Sequence, residues 1–528
     1  MNAPTPSGDP TTCLSRTSYD AVILDLDGVL TDTAALHAQA WKETFDRFLS
    51  ERGTSTASSL RPFSIAKDYG PLIDGRPRLD GVRAFMAARG IALPEGGAGD
   101  PADAPTVWGL GNGKNRRFTA LLQALGPKTD ADCLIFVQAL RAAGFKLAVA
   151  TSSRNGHAVL EAADLSGLFD AIVDGNEVAR ANLGGKPLPD IFLHAATALD
   201  AVAERTVVVE DSAAGVAAAR SGGFGRVIGV CKSGDPGALT KAGADPVVTS
   251  LAAVKVLGPS SPRALPMQVL PHALTYLDTI LQAAGQAPLA VFLDYDGTLT
   301  PIVERPDLAI LEPEMRETLR RLMTRATVAI VSGRSLEDLR TLVGVEGLHY
   351  AGDHGFAIDP PDHKKLELAA VADLPTRLDR IEKHFSEELS DILGLRLERK
   401  QYSIAIHYRQ VDDAAAVARI RACVQARLEG NSGLRLTEGK KVLEIQPNID
   451  WNKGKAVLWI LDTLRERGQD CYPIYLGDDI TDEDAFKALA PLGTGIVVEG
   501  APHPSLASYR LRDCTEVRAF LEALLAKL

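Results

Sequence analysis

Two short segments of this 528-residue chain carry acids in a pattern suited to phosphoryl transfer: Asp25-Leu-Asp27-Gly28 and Asp294-Tyr-Asp296-Gly297. A carboxylate can attack phosphorus in line and hold the group as an aspartyl phosphate, which makes Asp25 and Asp294 candidate nucleophiles. A second acid two residues on can protonate the leaving alkoxide and later deprotonate the attacking water, the part assigned to Asp27 and Asp296. Each pair is followed in the same order by a hydroxyl residue (Thr151; Ser332), a lysine (Lys186; Lys453) and an acidic cluster (Glu210 and Asp211; Asp478, Asp479 and Asp482). The hydroxyl and the ammonium suit the phosphoryl oxygens, whose charge shifts in the transition state. Several carboxylates around a dianionic phosphate demand a hard cation with oxygen ligands, for which Mg²⁺ is the usual choice. The candidate ligands are Asp25, Asp27, Glu210 and Asp211 in one half and Asp294, Asp296, Asp478 and Asp482 in the other. A single Asp-x-Asp-Gly could be a turn closing a strand; two copies with partners in matching order argue against it.

The residues before each Asp-x-Asp are short apolar runs rich in Val, Ile and Leu, the pattern of a strand buried on both faces. Similar runs at 146–151, 206–211, 327–332 and 472–478 alternate with helical stretches, which predicts doubly wound parallel sheets. Ligands in such sheets sit beyond the carboxyl ends of the strands. Asp25, Thr151 and Asp211 should therefore meet in one crevice, and Asp294, Ser332 and Asp478 in another. The fold class expected is α/β, two tandem domains over 20–257 and 273–528, joined by a Pro/Ser-rich linker over 258–272 and preceded by a disordered segment over 1–19.

Spacing locates an inserted cap in each half. The step from Lys186 to Asp211 and from Lys453 to Asp478 is 25 residues in both, but Asp25 to Thr151 spans 126 and Asp294 to Ser332 only 38. The first insertion, about 34–116, opens with a helical pattern at Ala34–Lys42; the second, about 358–440, mixes helical patterns with alternating strands such as 402–409, so an α+β cap is expected. Caps exclude water and read the non-reacting part of a substrate. Gly109-Leu-Gly111-Asn-Gly113-Lys114 is read as a loop within the first cap, since no Gly-Lys-Ser/Thr follows.

With 57 Lys and Arg against 68 Asp and Glu, the net charge is −11 and no dense basic run is present, so nucleic acid and anionic membranes are poor partners and a small molecule is favoured. Six cysteines without a C-x-x-C pair disfavour zinc ribbons and disulfide frameworks, and no apolar run reaches the length of a signal peptide or membrane span. A cytoplasmic protein with reduced thiols is the expectation; oligomeric state is not readable.

These ordered motifs resemble the haloacid dehalogenase superfamily, whose members with a helical cap carry it at the first of these insertion points. The C-terminal half is similar to trehalose-6-phosphate phosphatase in Ser332-Gly333-Arg334, Gly352-Asp353-His354-Gly355, His407-Tyr408-Arg409, Glu438–Glu444 and Asp450–Lys455. The resemblance implies a Mg²⁺-dependent phosphatase for a sugar phosphate, with Gly333, Arg334, His354, Arg409 and Glu444 at the sugar. Asp353 departs from the Asn or Glu expected at its position. The N-terminal half resembles β-phosphoglucomutase and related phosphatases in Asp32-Thr33, His37, Trp41, Thr151–Asn155, Gly185–Asp190 and Glu210–Ser212, with 74–82 as a substrate-facing cap loop. Mutase, sugar phosphatase and non-catalytic module all remain open for this half.

Overall fold

The computed structural model describes residues 13–528 apart from 53–60, 74–77, 233–234, 258–263, 304, 306–307, 362–372, 430, 432 and 440. The chain divides into two compact units, Met1–Ser261 and Pro262–Leu528. Both are doubly wound α/β domains, the first with a helical cap and the second with an α+β cap.

In the first unit, β2 (Ala21–Leu24), β5 (Lys146–Ala150), β6 (Ala171–Val173), β7 (Thr206–Glu210), β8 (Arg226–Val230) and β9 (Val247–Val248) form a parallel sheet in the order β6-β5-β2-β7-β8-β9. All four residues of β2 are fully buried, as helices covering both faces require. Because β5 and β7 flank β2, the residues that follow these three strands share one crevice. Residues 13–19 are not disordered as expected: β1 (Cys13–Ser15) pairs in parallel with β10 (Lys255–Leu257), and Leu14 is fully buried. Residues 1–12 lie outside the described residues.

The first cap packs the helices Ala34–Glu51, Arg78–Ala88 and Val107–Leu125 around Trp41, Phe45, Phe63 and Phe85, with the rings of Phe45 and Phe85 4.0 Å apart. It is bracketed by the antiparallel pair β3 (Thr31–Asp32) and β4 (Lys128–Thr129), and its last helix runs past the expected end near 116. The Gly109–Lys114 segment is helix rather than loop. Glycine is normally unfavourable inside a helix; here a Cβ at Gly109 would lie 2.4 Å from the Ala104 carbonyl oxygen and one at Gly113 2.0 Å from Asp103. Close packing overrides propensity. Of the cap loop expected at 74–82, residues 74–77 lie outside the described residues and residues 78–82 open a helix instead, with Gly81 and Val82 buried in the cap.

In the second unit, β12 (Leu289–Leu293), β13 (Thr327–Val331), β14 (His349–Gly352), β15 (Ala357–Asp359), β20 (Tyr472–Gly477), β21 (Thr494–Val498) and β23 (Tyr509–Leu511) form a sheet in the order β15-β14-β13-β12-β20-β21-β23, parallel except for β15. Its cap is an antiparallel sheet, β16 (Arg396–Arg399), β17 (Ile404–His407), β19 (Val442–Pro447) and β18 (Leu434–Gly439), covered by the helices Leu374–Glu388 and Ala414–Glu429. Leu374, Leu378, Ile381 and Phe385, spaced as one face of a helix, fill the core beneath it. Ile358 belongs to the main sheet and β19 carries the cap past the expected end at 440. The expected linker also ends early: β11 (Leu265–Pro266) pairs with β22 (Pro504–Ser505), and Met267 and Leu270 are buried in the core. Residues 258–263 lie outside the described residues. All six cysteines are free, and among the described residues no helix is long and apolar enough to cross a membrane.

Candidate active sites

In the first unit, β2 leads into Asp25, whose amide donates to the Val209 carbonyl (3.0 Å) and so ties the nucleophile candidate to the neighbouring strand. Lys186 donates to Asp25 (2.5 Å) and Glu210 (2.6 Å). The other oxygen of Glu210 accepts from the amide and hydroxyl of Ser212 (2.6 and 2.9 Å). Thr151 is buried at the end of β5, its hydroxyl accepting from the Ser153 amide (3.1 Å). Gly28 has φ +90°, and a Cβ there would lie 1.8 Å from Asp211 Oδ2, so only glycine lets Asp211 reach the Asp25 loop.

The second unit repeats this arrangement. The Asp294 amide donates to the Leu476 carbonyl (2.9 Å), and Lys453 donates to Asp294 (3.0 Å) and Asp482 (2.7 Å). Asp482 also accepts from the Tyr475 hydroxyl (2.5 Å) and from the amides of Asp478 and Asp479 (3.1 Å each). Ser332, buried at the end of β13, accepts from the Arg334 amide (3.3 Å). Gly297 has φ +82°, and its Cβ would lie 2.1 Å from Asp478 Oδ2.

Ligand atoms of Asp25, Glu210 and Asp211, and of Asp294, Asp478 and Asp482, lie within 4.8 Å of one another in each group. Three carboxylates against one lysine leave each group a formal charge of −2. Burial, reinforced by neighbouring acids and opposed by the lysines, pushes the carboxyls of Asp25 and Asp294 well above their ordinary range, and those of Asp211 and Asp478 to about 7. Burial alone would lower the two lysines, but their carboxylate partners hold both above the usual value. A divalent cation held by oxygen donors fits this surplus of negative charge.

The carboxylates of Asp27 and Asp296, expected among the ligands, lie outside both groups. Asp27 accepts from the Thr33 hydroxyl, and Asp296 takes a two-pronged contact from Arg334 (2.6 Å to each oxygen). Arg334, expected at the sugar, is thus committed to Asp296, with its guanidinium over the Tyr295 ring at 5.2 Å.

Gly333, His354 and Glu444 do come together. A Cβ at Gly333 would lie 2.6 Å from His354, and His354 Nε2 is 3.5 Å from Glu444. Glu444 reaches down from the cap and accepts from Ser403 (2.7 Å) and Lys400 (3.1 Å), while Lys400 also donates to the Gly333 carbonyl (2.9 Å). Burial opposes the charge on Glu444, yet His354, Lys400 and Ser403 hold its carboxyl well below the usual range. Arg409 does not join them: it is exposed on the turn after β17, whereas Lys400 and Ser403 precede that strand.

Residues 292–515 match the family described as trehalose-phosphatase, and residues 19–223 match haloacid dehalogenase-like hydrolase. A trehalose-phosphate phosphatase of Mycobacterium tuberculosis (strain H37Rv) is 40% identical over 345 residues, covering 64% of this chain and 86% of that protein. The chain belongs to the trehalose-phosphatase family. An uncharacterized glycosyl hydrolase of the same strain is 40% identical over 525 residues, 98% of this chain but 39% of the relative, so the chain spans about two-fifths of that protein's length. Among solved structures, β-phosphoglucomutase from Clostridium difficile matches with 24% identity and TM-score 0.35, covering 45% of this chain and 93% of that one.

Beside the trehalose-phosphatase domain's site, sequence reasoning missed Lys400 and Ser403. They close an irregular turn between two cap strands, and no spacing rule marks them. In the haloacid dehalogenase-like domain it missed Lys114, hidden in the segment read as a loop. Lys114 is buried 2.6 Å from His37 Nδ1, which stacks on Phe118 at 4.1 Å. Burial, with Arg78 adding to it, lowers the Lys114 ammonium to about 7; burial and Lys114 lower His37 to about 3. The neighbouring Asn115 accepts from Asn155 on the loop after Thr151 (3.1 Å), joining cap to core.

Proposed function

We propose that the C-terminal domain hydrolyses trehalose 6-phosphate to trehalose and inorganic phosphate, using Mg²⁺ at Asp294 and Asp478. The observation that carries this reading is the buried Lys453 bridging Asp294 and Asp482 beside Ser332 and Asp478, under a cap that lowers Lys400 and Glu444 onto Gly333 and His354. Bound there, Mg²⁺ supplies the positive charge that lets an anionic nucleophile approach an anionic phosphoryl group. A carboxylate oxygen of Asp294 forms a bond to phosphorus as the sugar oxygen leaves, and Asp296 gives that oxygen its proton. Asp296 then removes a proton from water, which attacks the aspartyl phosphate and releases inorganic phosphate. Arg334 fixes the orientation of Asp296 for both transfers. Ser332 and Lys453 hold the phosphoryl oxygens throughout. Lys453 also spares the cluster part of its repulsion; removing one partner of a buried ion pair costs about 3–5 kcal/mol.

The test is phosphate release by the full chain from trehalose 6-phosphate with and without Mg²⁺. Release should require the metal and vanish in Asp294→Asn. Faster turnover of sucrose 6-phosphate would overturn the choice of substrate.

A second reading, for the N-terminal half, is phosphoryl transfer on a sugar phosphate bearing a further anionic group. Burial and the nearby Arg154 lower the Arg78 guanidinium, and Arg78 in turn lowers Lys114 against the opposing pull of Asp27, so Arg78 lies within electrostatic reach of two further cations. Among the described residues no carboxylate pairs with Arg78 or Arg154. Such a cluster suits a dianion held apart from the Asp25 nucleophile. It favours an active mutase or sugar phosphatase over a non-catalytic module. Full chain carrying Asp294→Asn should convert β-glucose 1-phosphate or a hexose phosphate; silence on these and on an aryl phosphate would sink the reading.

A further inference from the structure

The turn after β14 holds an acid that the mechanism does not use. Asp353 and His354 both have positive φ (+49° and +54°) and precede Gly355 at +89°, a left-handed run in which two residues carry a Cβ. Strained runs of this kind persist only where surrounding contacts enforce them. Here the Asp353 amide donates to the Arg334 carbonyl (2.7 Å) and the His354 amide to the Ser332 carbonyl (3.0 Å), which fixes the turn against the loop that presents Ser332.

Neither carboxylate oxygen of Asp353 has a hydrogen-bond partner. Three other acids of this site are held: Asp294 and Asp482 by Lys453, Glu444 by Lys400 and Ser403. Asp353 is 1% exposed, alongside Asp294 at 5%, Ser332 at 2% and Lys453 at 3%. Asp353 is therefore as shielded from water as the reacting groups, and the cap's Lys400 and Glu444 lie within electrostatic reach of it. Burial pushes its carboxyl up to about 7; Lys400 and Arg399 oppose this, Glu444 and Glu398 reinforce it, and His354 is its chain neighbour. An ionised carboxylate only accepts hydrogen bonds, and a sugar hydroxyl is the donor that this enclosure lacks.

We propose that Asp353 is a specificity residue whose carboxylate accepts hydrogen bonds from hydroxyls of the sugar unit that carries the phosphoryl group. This rests on the phosphatase reading above. The acid is left unpaired in the free protein because its partner arrives with the substrate, a cost to folding that is returned on binding.

The experiment compares the full chain with Asp353→Asn, and with Asp353→Ser as a smaller acceptor, in Mg²⁺ on trehalose 6-phosphate and 4-nitrophenyl phosphate. Losing hydrogen bonds to a charged acceptor should raise KM for the sugar phosphate about tenfold or more. Turnover number should stay within threefold, and both constants for the aryl phosphate within twofold. Melting should run the other way. The folded-state carboxyl lies above its unfolded value of 3.8, so its penalty is fully present above about pH 7 and fades towards pH 4. Asp353→Asn should accordingly raise Tm at pH 8 and raise it less at pH 5. An unchanged KM with active wild-type protein overturns this inference alone; so does a fall in Tm with equal losses on both substrates, the mark of a purely structural residue. Wild-type protein inactive on trehalose 6-phosphate overturns the phosphatase reading as well.

Discussion

The two sites hold a lysine between two carboxylates, but the second carboxylate reaches the lysine by different routes. Glu210 stands one residue before Asp211, whereas Asp482 stands four residues after Asp478. In each case a glycine clears the space: a Cβ at Gly215 would lie 1.7 Å from Glu210, and one at Gly477 2.3 Å from Asp482. What the two halves share is therefore a position for negative charge, not a residue at a fixed offset. The acid expected to move protons differs too. Asp27 is held by a neutral hydroxyl and Asp296 by a guanidinium, and the caps bring the cations Arg78 and Lys114 in one half and a paired Lys400 and Glu444 in the other. The first cap suits a second anion, the second a polyhydroxyl surface.

The largest separation of the halves should come from their nucleophiles. Asp294→Asn is expected to lower phosphate release from trehalose 6-phosphate by a factor of about 10³ or more, while Asp25→Asn leaves it within twofold, as measured on the full chain. Gly297→Ala sets a methyl against Asp478 at a positive φ, so activity should fall about 100-fold and stability by about 1–3 kcal/mol; Gly28→Ala should match the stability loss without the loss of trehalose 6-phosphate turnover. Arg334→Lys, which keeps the charge but not the two-pronged contact, should cost about tenfold in kcat with little change in KM. Equal effects on both constants would mean that Arg334 touches the sugar after all.

The last effect expected is a slope with pH, spread over several pH units and confined to the first unit. Lys114 has a folded-state value of about 7 against 10.5 unfolded, so the penalty for burying its charge is complete below pH 7 and is relieved as pH rises towards 10. Chemical denaturation of the first unit should show stability rising over that range by at most about 1.4 kcal/mol per pH unit for this one proton. Lys114→Met should remove the slope.

Much of this was legible in the chain because strand-end chemistry is local. An apolar run followed by Asp-x-Asp-Gly locates its own crevice, and the equal 25-residue steps from lysine to acid reveal the repeated unit. What escaped was set by packing across long sequence distances. Lys400 meets Gly333 across 67 residues and Lys114 meets His37 across 77, and no periodicity reports either contact. The Gly109–Lys114 segment misled for the same reason: its glycines admit Ala104 and Asp103 at close range, a packing need that the glycine spacing alone does not report. The carboxylates of Asp27 and Asp296, expected among the metal ligands, are turned to Thr33 and Arg334, contacts that no sequence spacing reports.

The short pair between β1 and β10 has a mechanical side. Its strands run in parallel, with Cys13 opposite Lys255 and Ser15 opposite Leu257, so a pull on the chain entering at 13 and leaving at 257 acts from opposite ends of the pair. Such a load slides the strands past each other and stresses their hydrogen bonds together, where an antiparallel hairpin would unzip one bond at a time. Three residues with Leu14 as a buried anchor thus act as a clasp against tension on the first unit.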